Sequence, residues 1–342
     1  MGALLRGRWL RVVAAVGLAA AVGAAAAPFP VHATVTAFVL SSGHHPTIRN
    51  DVAPVAAGGT VVAGRSLVAG SSLRPLVVER RATDGATAWS RTLTDLSADT
   101  QWPVRVLSAA GGVVVAGTAR RGVSDDGFVR ALGADGTTSW TAWVASSDGR
   151  REVVNGAAHG PEGSVLVVGR TEGLVGGERA APAGTDSFVA RVDPGGDVAW
   201  VRQFGPYVAG LGHVPSELRD VVVAPDGRVL AVAGDRCSGQ AWCRGAERDL
   251  AVLVLDHAGT LAAVVRQPLA GVVGAGGATL TRVVAGPDGP VVVATTGGAA
   301  TCLHVAGLGW DLLPAWHSGP LLCGPGAGLF GHDGAVAVAP HG

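Results

Sequence analysis

One short unit recurs along this chain, and it constrains the fold more than any other feature. The unit holds an apolar strand, a tight turn with Asp and Gly, a second strand and a tryptophan. Its clearest copy is residues 186–205, DSFVARVDPGGDVAWVRQFG. Looser copies begin at Gly127, Leu76 and, without the tryptophan, Leu250, and a degraded fifth copy covers residues 301–316. A repeat of this kind indicates an architecture assembled from similar units.

A second phrase alternates with the first and adds two more strands to each unit. It is a glycine followed by an apolar run, as in residues 227–234, GRVLAVAG. In later copies an aspartate precedes the glycine, as at Asp226, Asp288 and Asp333. Asp-Gly between apolar runs is a strong signal for a hairpin. The clearest unit therefore contains four strands, predicted at residues 219–224, 228–233, 250–255 and 260–267.

Four antiparallel strands recurring at intervals of about 40 to 60 residues are typical of a β-propeller blade. The fold class predicted is therefore all-β, a β-propeller of four-stranded antiparallel blades. Five units fit between residues 52 and 318, and a half-unit with two strands remains at residues 321–339. An unpaired edge would invite aggregation. We therefore expect the apolar strand at residues 33–40 to pair with this C-terminal half-blade and close a ring of six blades.

The repeat resembles a known family. Residues 186–205 and 218–235, LRDVVVAPDGRVLAVAGD, are similar to the bacterial beta-propeller repeat abbreviated SBBP. That resemblance implies an extracellular or cell-surface propeller, and most such proteins have no assigned activity. This chain departs from the repeat in having Arg191 in place of Lys and Ala263 in place of Trp. Residues 80–89, RRATDGATAW, resemble more weakly the tryptophan-docking repeat of pyrroloquinoline quinone (PQQ) dehydrogenases.

Composition excludes some partners. Hydrophobic residues make up 48% of the chain, which is ample for a core. The 26 basic residues, all of them Arg, balance 26 acidic ones. Without a basic excess, the sequence predicts neither nucleic-acid binding nor attraction to an anionic membrane.

The N-terminus has the features of a secretory signal. Three arginines, at positions 6, 8 and 11, precede an apolar run over residues 12–27 that is short for a membrane span. Small residues permit cleavage after Ala33 or after Ala26. We therefore predict a signal peptide at residues 1–33, a single propeller domain at 34–342, a secreted or periplasmic location, and no membrane insertion after cleavage. The alternative is an uncleaved anchor.

The cysteines agree with export. Cys237, Cys243, Cys302 and Cys323 lie after the signal and are even in number, as expected of disulfides in an oxidising compartment. Three pairings are open. We favour Cys237–Cys243 and Cys302–Cys323, since near neighbours close small loops. The spacings do not match a metal site.

The tryptophans fall into two groups. Trp89, Trp140, Trp200 and Trp316 occupy equivalent positions on the last strand of their units, where we expect them to pack between blades. Trp102, Trp143 and Trp242 lie outside that register and are candidate ligand contacts. The loop after residue 235 carries Trp242 and Arg244 between two cysteines, and it is the first candidate for a binding site.

No motif of known catalytic chemistry is present in the chain, neither HExxH, nor GxSxG, nor a phosphate loop. We therefore predict no catalytic, cofactor or metal-binding residues. The inner strands read as Val, Leu and Ala, which favours a monomeric binding or scaffold propeller for a protein or polysaccharide at the cell envelope. The alternative is an exported enzyme with its site at the central channel, either a quinoprotein-like dehydrogenase using PQQ or calcium, or a lactonase or lyase.

Overall fold

The chain divides into two compact units, residues 1–41 and 42–342, and everything described below belongs to the second. The computed structural model describes residues 51–55, 58–65, 75–96, 101–109, 111–176, 184–236, 248–296 and 300–325. Several predictions lie outside these ranges. They are the signal peptide, the strand at residues 33–40, the half-unit beyond residue 325 with its hairpin at Asp333, the Cys237–Cys243 pair, and the side chains of Trp102, Trp242 and Arg244.

Five antiparallel sheets of four strands each follow one another along the described residues, with the strands of each sheet in sequence order. The first blade is β1 (Asp51–Pro54), β2 (Thr60–Arg65), β3 (Leu76–Arg81) and β4 (Thr87–Leu93). The second blade is β5 (Gln101–Ala109), β6 (Gly112–Arg121), β7 (Ser124–Gly133) and β8 (Thr138–Val144). The third blade is β9 (Glu152–His159), β10 (Val165–Thr171), β11 (Asp186–Val192) and β12 (Val198–Phe204).

A small hairpin, β13 (Tyr207–Val208) with β14 (Gly212–His213), leads into the fourth blade. That blade is β15 (Asp220–Val223), β16 (Val229–Arg236), β17 (Arg248–Leu255) and β18 (Leu261–Pro268). A five-residue helix, α1 (Leu269–Val273), precedes the fifth blade. The fifth blade is β19 (Ala278–Ala285), β20 (Pro290–Thr296), β21 (Ala300–Leu308) and β22 (Pro314–Pro325). No helix among the described residues has the length and apolarity to cross a membrane.

The predicted propeller of four-stranded antiparallel blades is therefore confirmed, but the described residues form five blades and not the six expected. Leu321 was expected to open a sixth unit. It continues β22 instead, because Leu322 pairs with Leu303 and Cys323 with Cys302 in the fifth sheet. The predicted Cys302–Cys323 disulfide joins these two strands, with the Cα atoms 4.1 Å apart.

The predicted hairpins form at Asp226-Gly227 and Asp288-Gly289, but neither turn has the two left-handed positions that Asp-Gly favours. Only the glycines take a positive φ, 84° at Gly227 and 151° at Gly289. At the first of these turns the Arg228 amide is held by Asp226 Oδ1 at 3.1 Å. The turn therefore includes an extra residue and is not the two-residue type with two left-handed positions.

Consecutive sheets pack face to face, so the middle strands bury mostly apolar residues. Leu250 to Leu255 of β17 are buried without a break, and so are the apolar residues of β16 from Val229 to Ala233. Outer strands such as β4 expose most of their residues. Among the described residues four hydrophobic cores occur, one between each pair of consecutive blades from the first to the fifth. The apolar strands of the repeat therefore form the interfaces between consecutive sheets.

The recurring tryptophan forms the rim of these interfaces. Trp140 Nε1 donates to the carbonyl of Pro194, in the turn between the third and fourth strands of the next blade, at 2.9 Å. Trp89 does the same to Ala134 at 2.8 Å. The ring of Trp140 covers Gly196, where a Cβ would lie 2.8 Å from the ring. We call this arrangement the tryptophan clasp, and it confirms the prediction of packing between blades for Trp89 and Trp140.

The clasp weakens along the chain. Trp200 covers Gly259 of the fourth blade in the same way, with the Arg202 guanidinium 5.5 Å from its ring centre. Its Nε1 finds no acceptor among the described residues. Trp316 of the fifth blade is 38% exposed. The clasp is thus complete between the first three blades and partial between the third and fourth. The fourth blade has Ala263 at the position of the tryptophan and forms no such clasp with the fifth.

Candidate functional site

The antiparallel order of each blade defines two faces. The links between blades, and the loops from second to third strand, lie where the first strand begins, and we call this the upper face. The turns that carry the tryptophan clasps lie on the lower face. Long loops on a rigid scaffold commonly carry binding residues, so the upper face is a candidate site beside the axis.

Four charged side chains meet at the axis, one from the first strand of each of four blades. Asp51, Arg105, Asp220 and Arg282 are all buried. Arg282 Nη2 donates to Asp51 Oδ1 at 2.9 Å, and Arg105 donates to Asp220. We call these four residues the axial quartet. It contradicts the expectation that the inner strands hold few ionisable residues.

Backbone amides complete the quartet. Asp51 Oδ2 accepts from the Val106 amide at 2.8 Å, and Asp220 Oδ2 accepts from the Val283 amide at 2.8 Å. Both oxygens of Asp220 are engaged, since the Val221 amide donates to Oδ1 at 3.0 Å. Two acids and two bases therefore neutralise one another, and the carboxylates offer no free oxygen for acid–base chemistry.

Burial has the largest effect on the pKa values of the quartet. Burial raises the pKa of both Asp51 and Asp220, while Arg105 and the donating amides oppose the rise. Burial also works against the charge of Arg105, but the two aspartates outweigh it and its pKa is raised. The guanidinium charge is therefore retained where it lies, and its role is to hold the inner strands together.

Bulges in the inner strands turn the arginines toward the axis. In β5 one residue, Val104, is inserted between the Pro103–Gly117 and Arg105–Ala116 pairs, and in β19 Thr281 is inserted before Arg282. An inserted residue rotates the strand and re-aims the next side chain. The sequence analysis did not predict that these four charged side chains meet, because they are far apart in the sequence. One signal was present: Asp220 and Arg282 each stand six residues before the Asp of their Asp-Gly turn.

A polar cavity opens on the upper face between the second and third blades. Its volume is about 320 Å³ and its charged lining consists of Arg120, Asp125, Arg150, Arg151 and Glu172. Arg151 Nε lies 2.9 Å from Asp125 Oδ2. The Glu172 amide donates to the Arg151 carbonyl at 2.9 Å, which ties the two loops together. The cavity is thus walled by charged groups that are already partly paired.

A buried carboxyl group lies in the same part of the molecule. Glu152 begins β9 and is fully buried. The Ser146 amide donates to its Oε2 at 2.8 Å, and the Thr171 hydroxyl donates to Oε1 at 2.9 Å. Burial raises the pKa of Glu152 to about 7, the charge of Asp126 adds to the rise, and the two hydrogen bonds oppose it. Burial also raises the pKa of Asp126. These two neighbouring acids form the arrangement of the upper face that is closest to acid–base chemistry.

The stability of the fold should depend on pH through Glu152. Its folded pKa, about 7, exceeds the ordinary value of 4.5, so its contribution is fully present below pH 4.5 and is lost as pH rises toward 7. Between pH 4.5 and 8 the free energy of unfolding of the native protein should fall by about 2 kcal/mol more than that of Glu152→Gln. This figure allows for solvent screening. Urea unfolding at several pH values measures this. Glu162→Gln, at a side chain 83% exposed, serves as the control. Parallel pH profiles for native protein and Glu152→Gln would contradict the assignment.

The structure places the other predicted site residues as follows. Trp143 is half-buried beside the core of the first two blades, 6.3 Å from the Phe128 ring centre and edge-on to it. The Arg121 guanidinium lies 5.2 Å from the Trp143 ring centre. Trp102 belongs to β5, opposite Thr118, and its side chain lies outside the described set. The role of these tryptophans as ligand contacts stays a prediction.

A metal site was not predicted. Within the described ranges, no group of three or more His, Cys, Asp or Glu side chains is placed to hold a metal ion.

Comparison with known proteins shows similarity of fold without similarity of sequence. No family model matches the chain, and no curated protein matches it. Among solved structures it is similar to an α-L-arabinofuranosidase of Fusarium graminearum (11% identity, TM-score 0.46, 72% of each chain). It is also similar to a Penicillium chrysogenum α-L-arabinanase (13%, 0.46, 75% of this chain and 77% of that one). A member of the DUF4221 family from Bacteroides vulgatus (10%, 0.40, 82% and 86%) is a third.

The chain also matches a eukaryotic initiation factor at 9% identity and a TM-score of 0.36, and it spans 56% of that chain's length. Likeness at such identities concerns the fold alone. The activities in these names therefore belong to those proteins.

Proposed function

We propose that this protein is a secreted, monomeric, non-catalytic β-propeller that presents a binding face to a protein or polysaccharide at the cell envelope. The axial quartet is the observation that supports this most. An enzyme of this shape would need free acids or bases where the inner strands converge. Here the converging groups are buried and bonded to one another, so recognition belongs to the loops of the upper face.

Export and ring closure are part of the same proposal. The sequence features of a signal at residues 1–33 support secretion, and the Cys302–Cys323 disulfide is of the kind that persists in an oxidising compartment. The likeness to the SBBP repeat supports a surface location. We also propose that the ring has six blades, with the strand at residues 33–40 pairing with the C-terminal half-blade.

The proposed contact residues are Trp242 and Arg244. They belong to the link between β16, which ends at Arg236, and β17, which begins at Arg248. These two strand ends lie on the upper face. A tryptophan and an arginine are the residue types that dominate binding energy at interfaces. Trp102 and Trp143 are secondary candidates.

The test is a binding screen on the mature chain, using an array of bacterial envelope polysaccharides and immobilised envelope protein. The double variant Trp242→Ala/Arg244→Ala should abolish binding of whatever the native chain retains, while the thermal midpoint stays within a degree or two. Arg228→Ala, on the lower face and 40% exposed, is the matched control and should bind normally. Intact binding by the double variant would refute the assignment of these residues.

An exported enzyme is the second candidate, and one observation favours it. Glu152 and Asp126 are neighbouring buried carboxyl groups, and one of them has a pKa of about 7, which suits a general acid or base. Calcium or quinone carried by the purified protein would support this reading. Elemental analysis and absorbance spectroscopy of the exported protein measure both.

A further inference from the structure

The polar cavity on the upper face has the dimensions of a small ligand site. It is walled by the tip of the β6–β7 hairpin, by the link between β8 and β9, and by the residue that follows β10. Its volume of about 320 Å³ lies near the lower end of the range for ligand pockets. Val123 supplies the one apolar side chain of this lining, and it is 91% exposed. The cavity therefore fits a small polar group, or one unit of a polar polymer.

Arginines outnumber carboxylates in the lining of the cavity. Arg120, Arg150 and Arg151 accompany two acids, Asp125 and Glu172. Arg151 Nε lies 2.9 Å from Asp125 Oδ2, so those two charges offset one another. Arg120 and Glu172 have no ion-pair partner among the residues that the structure describes. The cavity therefore holds an unpaired cation and an unpaired anion, with a further arginine beside them.

The terminal nitrogens of the arginines are available to a ligand. Arg150 Nε lies 3.4 Å from Asp148 Oδ2, and Asp148 is not part of the lining. Within the described ranges, the Nη atoms of Arg120, Arg150 and Arg151 have no hydrogen-bond acceptor. Guanidinium donors form a fork that matches the two oxygens of a carboxylate. A ligand with one carboxylate and several neutral oxygens would therefore use these donors.

Hydrogen bonds hold one wall of the cavity in place before any ligand binds. The Arg150 amide donates to Ser146 Oγ at 2.8 Å, which closes the link between β8 and β9. The Ser147 amide donates to the Leu174 carbonyl at 2.9 Å, and the Leu174 amide donates to Asp148 Oδ1 at 3.1 Å. These two bonds join the link to the segment after β10. A wall that is already ordered lowers the entropy cost of binding. The cavity is therefore preorganised on the side of the third blade.

We propose that this cavity binds a uronic acid unit of an acidic polysaccharide. Arg120 donates to the carboxylate of the sugar, and Glu172 accepts from a ring hydroxyl. This assignment rests on the polysaccharide partner proposed above, to which it adds a negative charge and a second place of contact. The cavity belongs to the second and third blades, whereas Trp242 and Arg244 belong to the fourth.

The walls of the cavity favour a sugar over an acidic peptide. A sugar acid has ring hydroxyls that donate to Glu172 and oxygens that accept from the arginines. An acidic peptide brings further carboxylates, which the charge of Glu172 would repel. Its methylene groups would also find no apolar wall, because Val123 is directed to solvent. Donors and acceptors side by side thus match a hydroxylated ring with a single acidic group.

Isothermal titration calorimetry on the mature chain measures this preference. The probes are oligomers of galacturonate, glucuronate and mannuronate, with their carboxyl-reduced forms as neutral counterparts. At least one acidic oligomer should bind roughly 10-fold or more tightly than its reduced form, since reduction removes charge-assisted hydrogen bonds. Equal affinity for the two forms, or no binding of any acidic oligomer, would overturn the proposal. Equal or tighter binding of an oligoglutamate peptide would also overturn it.

Two adjacent arginines separate the cavity from the general charge of the β6–β7 hairpin. Arg120→Gln should weaken binding roughly 10-fold or more, and the thermal midpoint should stay unchanged because Arg120 is exposed. Arg121→Gln, the matched control, removes the same charge one position along β6, where the side chain points to the opposite face of the strand. Its guanidinium lies 5.2 Å from the Trp143 ring centre, outside the lining, so affinity should stay within about twofold. Equal losses in the two variants would overturn the placement of the ligand.

The same oligomers distinguish the cavity from the contact residues proposed above. Full binding by Arg120→Gln, with loss in Trp242→Ala/Arg244→Ala, would overturn the cavity site and leave the proposed function in place. Loss in Arg120→Gln, with full binding by the double variant, would support the cavity and refute the contact role of Trp242 and Arg244. Loss in both would support a polymer that spans the two sites.

Discussion

Asp220→Ala should lower the free energy of unfolding by about 3–5 kcal/mol, the largest effect expected of any single substitution here. Asp220 is fully buried and accepts hydrogen bonds from Arg105 and from two backbone amides. Its removal leaves the Arg105 guanidinium buried without its nearest counter-charge. Urea unfolding monitored by tryptophan fluorescence measures the difference.

Two further variants separate the ion pair from the general cost of substitution. Asp226→Ala removes an exposed aspartate of the same blade, whose partner Arg228 is also exposed, and should cost about 0.5 kcal/mol or less. The double variant Asp220→Leu/Arg105→Met replaces the pair by apolar groups and should recover much of the loss. A cost for Asp220→Ala no larger than for Asp226→Ala would contradict the role assigned to the quartet.

Trp140→Ala should cost about 3 kcal/mol, because it removes a large ring from the interface between the second and third blades. The ring covers Gly196, and its Nε1 donates to the Pro194 carbonyl. Trp140→Phe keeps an aromatic ring and loses the donor, so it should cost about 1 kcal/mol. Thermal and urea unfolding of both variants measure the two contributions separately.

The equivalent residue of the fifth blade provides the comparison. Trp316 occupies the same position but is 38% exposed, so Trp316→Ala should cost less than half as much as Trp140→Ala. Equal costs at the two positions would mean that the clasp adds nothing to the packing within one blade.

The tryptophan clasps and the axial quartet stabilise different parts of the blades. The clasps hold neighbouring sheets together at the lower rim, and the axial quartet ties the inner strands of four blades at the centre. Charged groups at the axis are therefore used for cohesion. The long loops and the polar cavity lie on the upper face, where we propose that recognition takes place.

The repeat allowed the blades to be predicted because it has a local physical cause. Strand runs such as Leu250 to Leu255, and turns such as Asp256 to Gly259, are decided by side-chain burial and by a positive φ at one glycine. The clasping tryptophans follow from the same repeat. The Cys302–Cys323 pairing was predicted from closeness in the sequence, since near neighbours close small loops. The structure adds that the two residues lie opposite one another on consecutive strands of one sheet.

The axial quartet was not predictable in this way. Asp51 and Arg282 are 231 residues apart, and neither belongs to a motif. Their meeting depends on the order of blades around the axis and on the bulge before Arg282. The same is true of the cavity, whose walls come from two blades.

The amino-acid sequence alone determined which residues form strands and turns, that four strands make one sheet, and which tryptophans pack between the first four blades. All of these depend on neighbours within about one repeat. Only the tertiary structure decided which charges neutralise one another at the centre, and that the described residues form five blades. Electrostatic pairing and ring geometry depend on distances between remote segments, and a linear pattern does not contain those distances.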